Sequence, residues 1–174
     1  NISGVTTLTL ASVGGTATFA GDVDVTTLAV DNTVANVALN GNGSSVVDAV
    51  SFANDGTLTL GTNGGTQTYN GGLTTTSVGG TVTVNGTIAS SDDTITFGAI
   101  TLGNNVTIDT NSTTTNRADI TIAAVTGGNN TLTLTTENDV TGTDITASGN
   151  ISGVTTLTLA SVGGTATFAG DVDV

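Results

Sequence analysis

The chain has 174 residues, 14 acidic side chains against one basic one (Arg117), a net charge of −13, and no His, Cys, Met, Trp or Pro. This composition excludes a disulfide framework, thiol or imidazole catalysis and phosphate clamps. The charge repels phosphate backbones and no apolar run is long enough to span a bilayer, so neither nucleic acid nor direct membrane insertion is expected.

Four Phe and one Tyr are the only aromatic residues. Val, Leu, Ile and Ala make up the rest of the apolar set, and they alternate with Thr between Gly, Asn and Asp corners, a pattern of short strands rather than helices. In chain order, Val5-Thr6-Thr7-Leu8-Thr9-Leu10 aligns with Val25-Thr26-Thr27-Leu28-Ala29-Val30 at an offset of 20, and Thr16–Gly21 aligns with Asn36–Gly41. Thr57-Leu58-Thr59-Leu60, Thr81-Val82-Thr83-Val84, Val106-Thr107-Ile108 and Thr131-Leu132-Thr133-Leu134 follow. Taken as one stack, Phe19, Leu39, Leu60, Val84, Ile108 and Leu134 are 20 to 26 residues apart.

Repeats of that length, built from short strands, predict an all-β parallel β-helix (β-solenoid) of about 20–26 residues per coil. Leu8, Leu10, Ala17, Phe19, Leu28, Val30, Val37 and Leu39 face its interior. Asn54-Asp55-Gly56 and Asn85-Gly86 also read as hairpin turns, which makes an antiparallel sandwich the competing architecture.

A longer repeat lies over the short one. Residues 1–25 recur without substitution as residues 150–174, a period of 149. Identity at Thr, Ser and Gly positions points to recent gene duplication, because structural repeats drift at such positions. Residues 1–149 are therefore expected to form one full block of six or seven coils, and 150–174 to begin the next identical block of a longer array. Setting aside Asp171 and Asp173 leaves twelve acids and one base, or −11 per block.

Gly65-Thr66-Gln67-Thr68-Tyr69-Asn70-Gly71-Gly72-Leu73 and Thr16-Ala17-Thr18-Phe19-Ala20-Gly21-Asp22-Val23 resemble coil elements of giant secreted bacterial β-helix proteins of the filamentous-haemagglutinin-like and autotransporter-passenger adhesin type. The resemblance implies a right-handed parallel β-helix with a role in attachment, cell contact or matrix. The chain departs from that pattern in its identical 149-residue blocks.

No catalytic residue and no cofactor are expected. Asp22 with Asp24, or Asp92 with Asp93, are the carboxylate pairs a glycoside hydrolase would need, but Asp92 and Asp93 read as a turn before Thr94-Ile95-Thr96-Phe97. Asp22 and Asp24 share a strand face and are the candidate Ca²⁺ ligands. Asn42, Asn85, Asn105 and Asn111 begin N-x-S/T sequons. Thr-x-Thr pairs such as Thr66/Thr68 and Thr131/Thr133 resemble ice-binding faces, although the strands' preference for β-branched residues explains them equally. Ice binding also needs an even spacing that coils of variable length are not expected to supply. Tyr69 is expected in the core with its hydroxyl on a polar partner.

The sequence thus points to a structural segment of an extracellular or cell-surface tandem-repeat fibre. Its partners are further copies of the block and neighbouring fibres. The alternative is a ligand-binding solenoid surface, for ice or for a Ca²⁺-linked glycan.

Overall fold

The computed structural model describes residues 1–110, 118–136 and 141–174. Among these, fifteen strands and no helix are found: β1 (Ile2–Leu10), β2 (Thr16–Phe19), β3 (Val23–Val30), β4 (Asn36–Leu39), β5 (Ser45–Val46), β6 (Val50–Ser51), β7 (Leu58–Leu60), β8 (Thr66–Tyr69), β9 (Leu73–Thr74), β10 (Val82–Ala89), β11 (Ile95–Asp109), β12 (Ile120–Thr135), β13 (Ile145–Ala147), β14 (Ile151–Ala160) and β15 (Ala166–Phe168). Strand pairing is parallel throughout. The protein is a β-solenoid of about seven turns. The Asn54-Asp55-Gly56 and Asn85-Gly86 turns are corners between stacked strands, and the antiparallel alternative is set aside.

Each circuit visits three faces in a fixed order. On the first face Ala17, Val37, Leu58, Val82, Ile100, Val125, Ile151 and Val172 stack in register. The second stacks Asp24, Ser45, Thr68, Ala89, Asp109, Thr135 and Ala160. On the third, Leu10 lies over Val30 and Phe52, and Val50 leads through Leu73, Ile95, Ile120 and Ile145 to Ala166.

Alternation with a period of two explains the burial. In β10 the pattern Val82-Thr83-Val84-Asn85-Gly86-Thr87-Ile88-Ala89 is buried at every second residue, so one side of each strand builds a continuous apolar interior. Of the residues expected inside, Leu10, Leu28, Val30, Val37 and Leu39 are buried. Leu8, Ala17 and Phe19 pack against the core but are only partly covered, because no coil lies above the first one here.

Two details differ from the sequence reading. Val84 stacks on Leu102, whereas Ile108 and Leu134 stack on Ile88 of the second face, so the single stack through Val84, Ile108 and Leu134 divides between two faces. The circuit from Val82 to Ile100 is also shorter than 20 residues. Its strands β10 and β11 turn corners on Gly86 and Gly98 without leaving the ladder. Gly86 has φ +65, and a side chain there would collide with the carbonyl oxygens of Thr62 and Gly65, so only glycine permits so tight a corner.

Candidate functional site

Several of the described acidic residues, Asp22, Asp31, Asp48, Asp119 and Asp144 among them, sit at corners, where the chain leaves one ladder for the next and its N–H groups lose their strand partners. Asp22 Oδ1 accepts the Gly43 N–H at 2.8 Å, and its Oδ2 accepts Asn1 Nδ2–H at 3.1 Å. Asp24 Oδ1 accepts the Ser45 N–H at 3.1 Å, while Ser44 Oγ accepts the Val23 N–H at 3.0 Å. The two Ca²⁺ candidates are thus engaged in capping the next coil. No group of three His, Cys, Asp or Glu side chains converges as a metal site among the described residues.

The same bond recurs around the molecule. Asn1 Oδ1 accepts from Asp22 N, Asn36 Oδ1 from Thr57 N, and Asn105 Oδ1 from Thr131 N. Asp119 Oδ1 accepts from Asp144 N, and Asp144 Oδ1 from Thr165 N. In every case the acceptor belongs to one coil and the donor to the coil that follows, 21 to 26 residues on. These axial staples satisfy corner donors that would otherwise stay unpaired. The sequence places Asn and Asp at corners but gives them no partner there. The available signal was their recurrence at a spacing of about one coil, as in Asn1 and Asp22.

Asp92 and Asp93 form the expected turn. Asp92 is left-handed at φ +64 and Ser90 Oγ donates to the Asp93 carbonyl at 2.5 Å. The Asp92 carboxylate is buried, with no hydrogen-bond partner on either oxygen.

Tyr69 behaves as anticipated. It is buried, edge-on to Phe52 at 6.3 Å, and its hydroxyl donates to Gln67 Oε1 at 3.0 Å. Gln67 is equally buried, and its Nε2–H groups reach the Leu39 and Gly41 carbonyls at 2.7 and 3.3 Å. Burial pushes the tyrosine pKa well above its ordinary value. The inward Gln of the Gln67-Thr68-Tyr69 element therefore anchors the core's one Tyr and two carbonyls of the coil above, a structural rather than a ligand-binding role.

The outward Thr residues stack evenly, one per coil, because differences in coil length are absorbed at the corners. Thr66, Thr87, Thr107, Thr133 and Thr158 form one such rank, which corrects the expectation of uneven spacing. What breaks the pattern is the rank beside it, occupied by Thr68, Ala89, Asp109, Thr135 and Ala160. A single row of hydroxyls is no two-dimensional lattice. Among the sequons, Asn42 is exposed, Asn85 Nδ2 donates to the Leu60 carbonyl and Asn105 is an axial staple. Asn111 and Arg117 lie outside the described residues.

A shallow depression of about 410 Å³ is lined by Gly4, Val5, Thr6, Asp24, Val25, Thr26, Ser45 and Val47. Val5 is 45 % exposed there, yet Val154, the same residue of the second copy, is 3 % exposed beneath Asn130. The depression is what a first coil looks like without a coil above it. Comparison of the chain with protein-family models, curated proteins and solved structures gave no match.

Proposed function

We propose that the chain is a load-bearing segment of a tandem-repeat β-solenoid fibre on the cell surface or in the extracellular matrix. One observation carries this reading. The 25 repeated residues take a coil below them in one copy, where β1 pairs with β3, and a coil above them in the other, where β14 pairs with β12. A segment that bonds on both sides can be passed through by a continuous solenoid, leaving no open sheet edge between blocks.

The mechanism is mechanical and non-enzymatic. Axial backbone hydrogen bonds, the continuous apolar interior and the Asn/Asp staples resist bending and unfolding, while the negative surface keeps fibres apart. The resemblance of Gly65–Leu73 and Thr16–Val23 to coil elements of giant secreted adhesins supports a stalk that holds an attachment module away from the cell. Its partners are further copies of the block along the fibre and, once salt or divalent cations screen the charge, neighbouring fibres.

Electron microscopy of chains carrying one, two and three blocks tests the proposal. Unbranched rods of constant width that lengthen by roughly 30 Å per block are expected from strands spaced ~4.8 Å apart. Globules separated by visible linkers would overturn it.

A further inference from the structure

The two copies of the repeated segment do not occupy the same faces. Ala17 is on the first face and its counterpart Ala166 on the third. Leu8 is on the third and Leu157 on the second. Ile2, paired with Val23, begins the second face, whereas Ile151, paired with Val125, is on the first. All three positions move back by one face. Six circuits lead from Ala17 down the first face to Ile151, and Ala166 is then reached two faces later, before Val172 closes the seventh circuit.

We infer that the 149-residue block is six and two-thirds coils long, so that the lower end of the solenoid is an interface for a further copy turned by one face, and the array returns to its starting orientation only after three blocks. This rests on the stacked-array reading above. Three blocks make 3 × 6⅔, or twenty, coils and advance about 96 Å at ~4.8 Å per coil. The local fold is the same in both orientations. Ser12 and Ser161 are both left-handed, at φ 57 and 54. The Asn1 Oδ1 to Asp22 N bond of 3.0 Å returns as Asn150 Oδ1 to Asp171 N at 3.1 Å.

The three faces are interchangeable because each is the same kind of ladder, with apolar residues inward and Thr outward. What lies outside is not interchangeable. The corner at Asp22 and Asp24 and the exposed Asn42 recur on each side of the fibre in turn, once every three blocks. A fibre built this way has no single decorated side, and a neighbour approaching from any direction meets the same groups at different heights.

The chain has no cysteine, so disulfide trapping reads the orientation directly. Thr158 faces Thr133 in the rotated arrangement. If the block held a whole number of coils, Thr158 would take the third-face place of Thr9, beneath Thr146. Two variants of the 174-residue chain, Thr133→Cys with Thr158→Cys and Thr146→Cys with Thr158→Cys, are oxidised and their free thiols counted by mass spectrometry. Adjacent strands bring Cα atoms within disulfide reach, and the first variant is expected to lose both thiols as a monomer while the second keeps them. Closure of the second pair, alone or as fully as the first, overturns the rotation while leaving the stacked array standing. Closure of neither pair means that residues 150–174 do not dock on the preceding coil, and removes both readings. A three-block chain tagged at exposed Asn63 gives an independent measure by cryo-electron microscopy. Tags at three successive azimuths support the proposal, and tags aligned along one side overturn it.

Discussion

Asn1–Val25 and Asn150–Val174 are the same 25 residues with opposite neighbours: the strand residues from Val5 to Phe19 pair only with the coil below, and those from Val154 to Phe168 only with the coil above. Leu10 is 7 % exposed and Leu159, its counterpart, 41 %, whereas Val5 is 45 % exposed and Val154 3 %. The backbone barely registers the difference, since the left-handed serine and the corner staple appear in both copies. Conformation in this chain is therefore written locally, by alternation and corner residues, while burial and hence stability come from adjacent coils. This is the division expected of a quasi-one-dimensional fold.

The largest effects should come from crossing the comparison. Val154→Asp and Leu10→Asp each place a charge in the apolar interior and should cost several kcal/mol. Val5→Asp and Leu159→Asp, at the same two sequence positions, should change stability by about 0.5 kcal/mol or less. Denaturant midpoints, together with amide exchange in the neighbouring coil, measure both. Equal losses at Val5 and Val154 would show that coverage by the adjacent coil is not what distinguishes the copies.

Tyr69 extends the comparison to a coil covered on both sides. Burial raises its pKa above the ordinary value of about 10, so above that pH the unfolded chain releases a proton that the folded chain retains. Stability is then fully present below pH ~10 and falls as the pH rises beyond it. The chain has no Lys or Cys, so no other side chain is positioned to titrate in that range. The denaturant midpoint should drop between about pH 9 and 11 with tyrosinate absorbance appearing only on unfolding, and Tyr69→Phe should abolish the slope. A tyrosinate signal in the still-folded chain would refute the buried hydroxyl.

Much of this fold was legible in the sequence, for reasons the two copies make plain. The offset of 20 that aligns Val5–Leu10 with Val25–Val30 is the register found, and Tyr69 is inward, as its large apolar ring with a polar tip leads one to expect, whereas the buried Gln67 beside it was not legible. The assignment of strands to faces was not legible. Val84, Ile88, Ile108 and Leu134 each directly follow a Thr, so alternation says that each points inward but not over which neighbour. Only the corners decide that, and a corner can be a single residue at Gly98 or a longer run, as at Asn40–Ser44. The corner staples escaped notice for a related reason. Asp22 and Asn36 look like ordinary turn formers until the coil that follows supplies the N–H they accept.

The smallest effect isolates that staple. Asp22 Oδ1 accepts the Gly43 N–H, whereas its counterpart Asp171 is exposed and has no following coil to supply a donor. Asp22→Ala removes the acceptor of both the Gly43 N–H and the Asn1 Nδ2–H and should cost about 1 to 2 kcal/mol, and Asp22→Asn less, because the amide oxygen still accepts from Gly43. Asp171→Ala should leave the denaturant midpoint unchanged. Appending residues 26–50 after Val174 places a coil beneath Asp171, and in that longer chain Asp171→Ala should cost as much as Asp22→Ala does. If Asp171→Ala were already costly in the 174-residue chain, the carboxylate would be acting within its own coil, and the staple would not be the axial bond that joins one coil to the next.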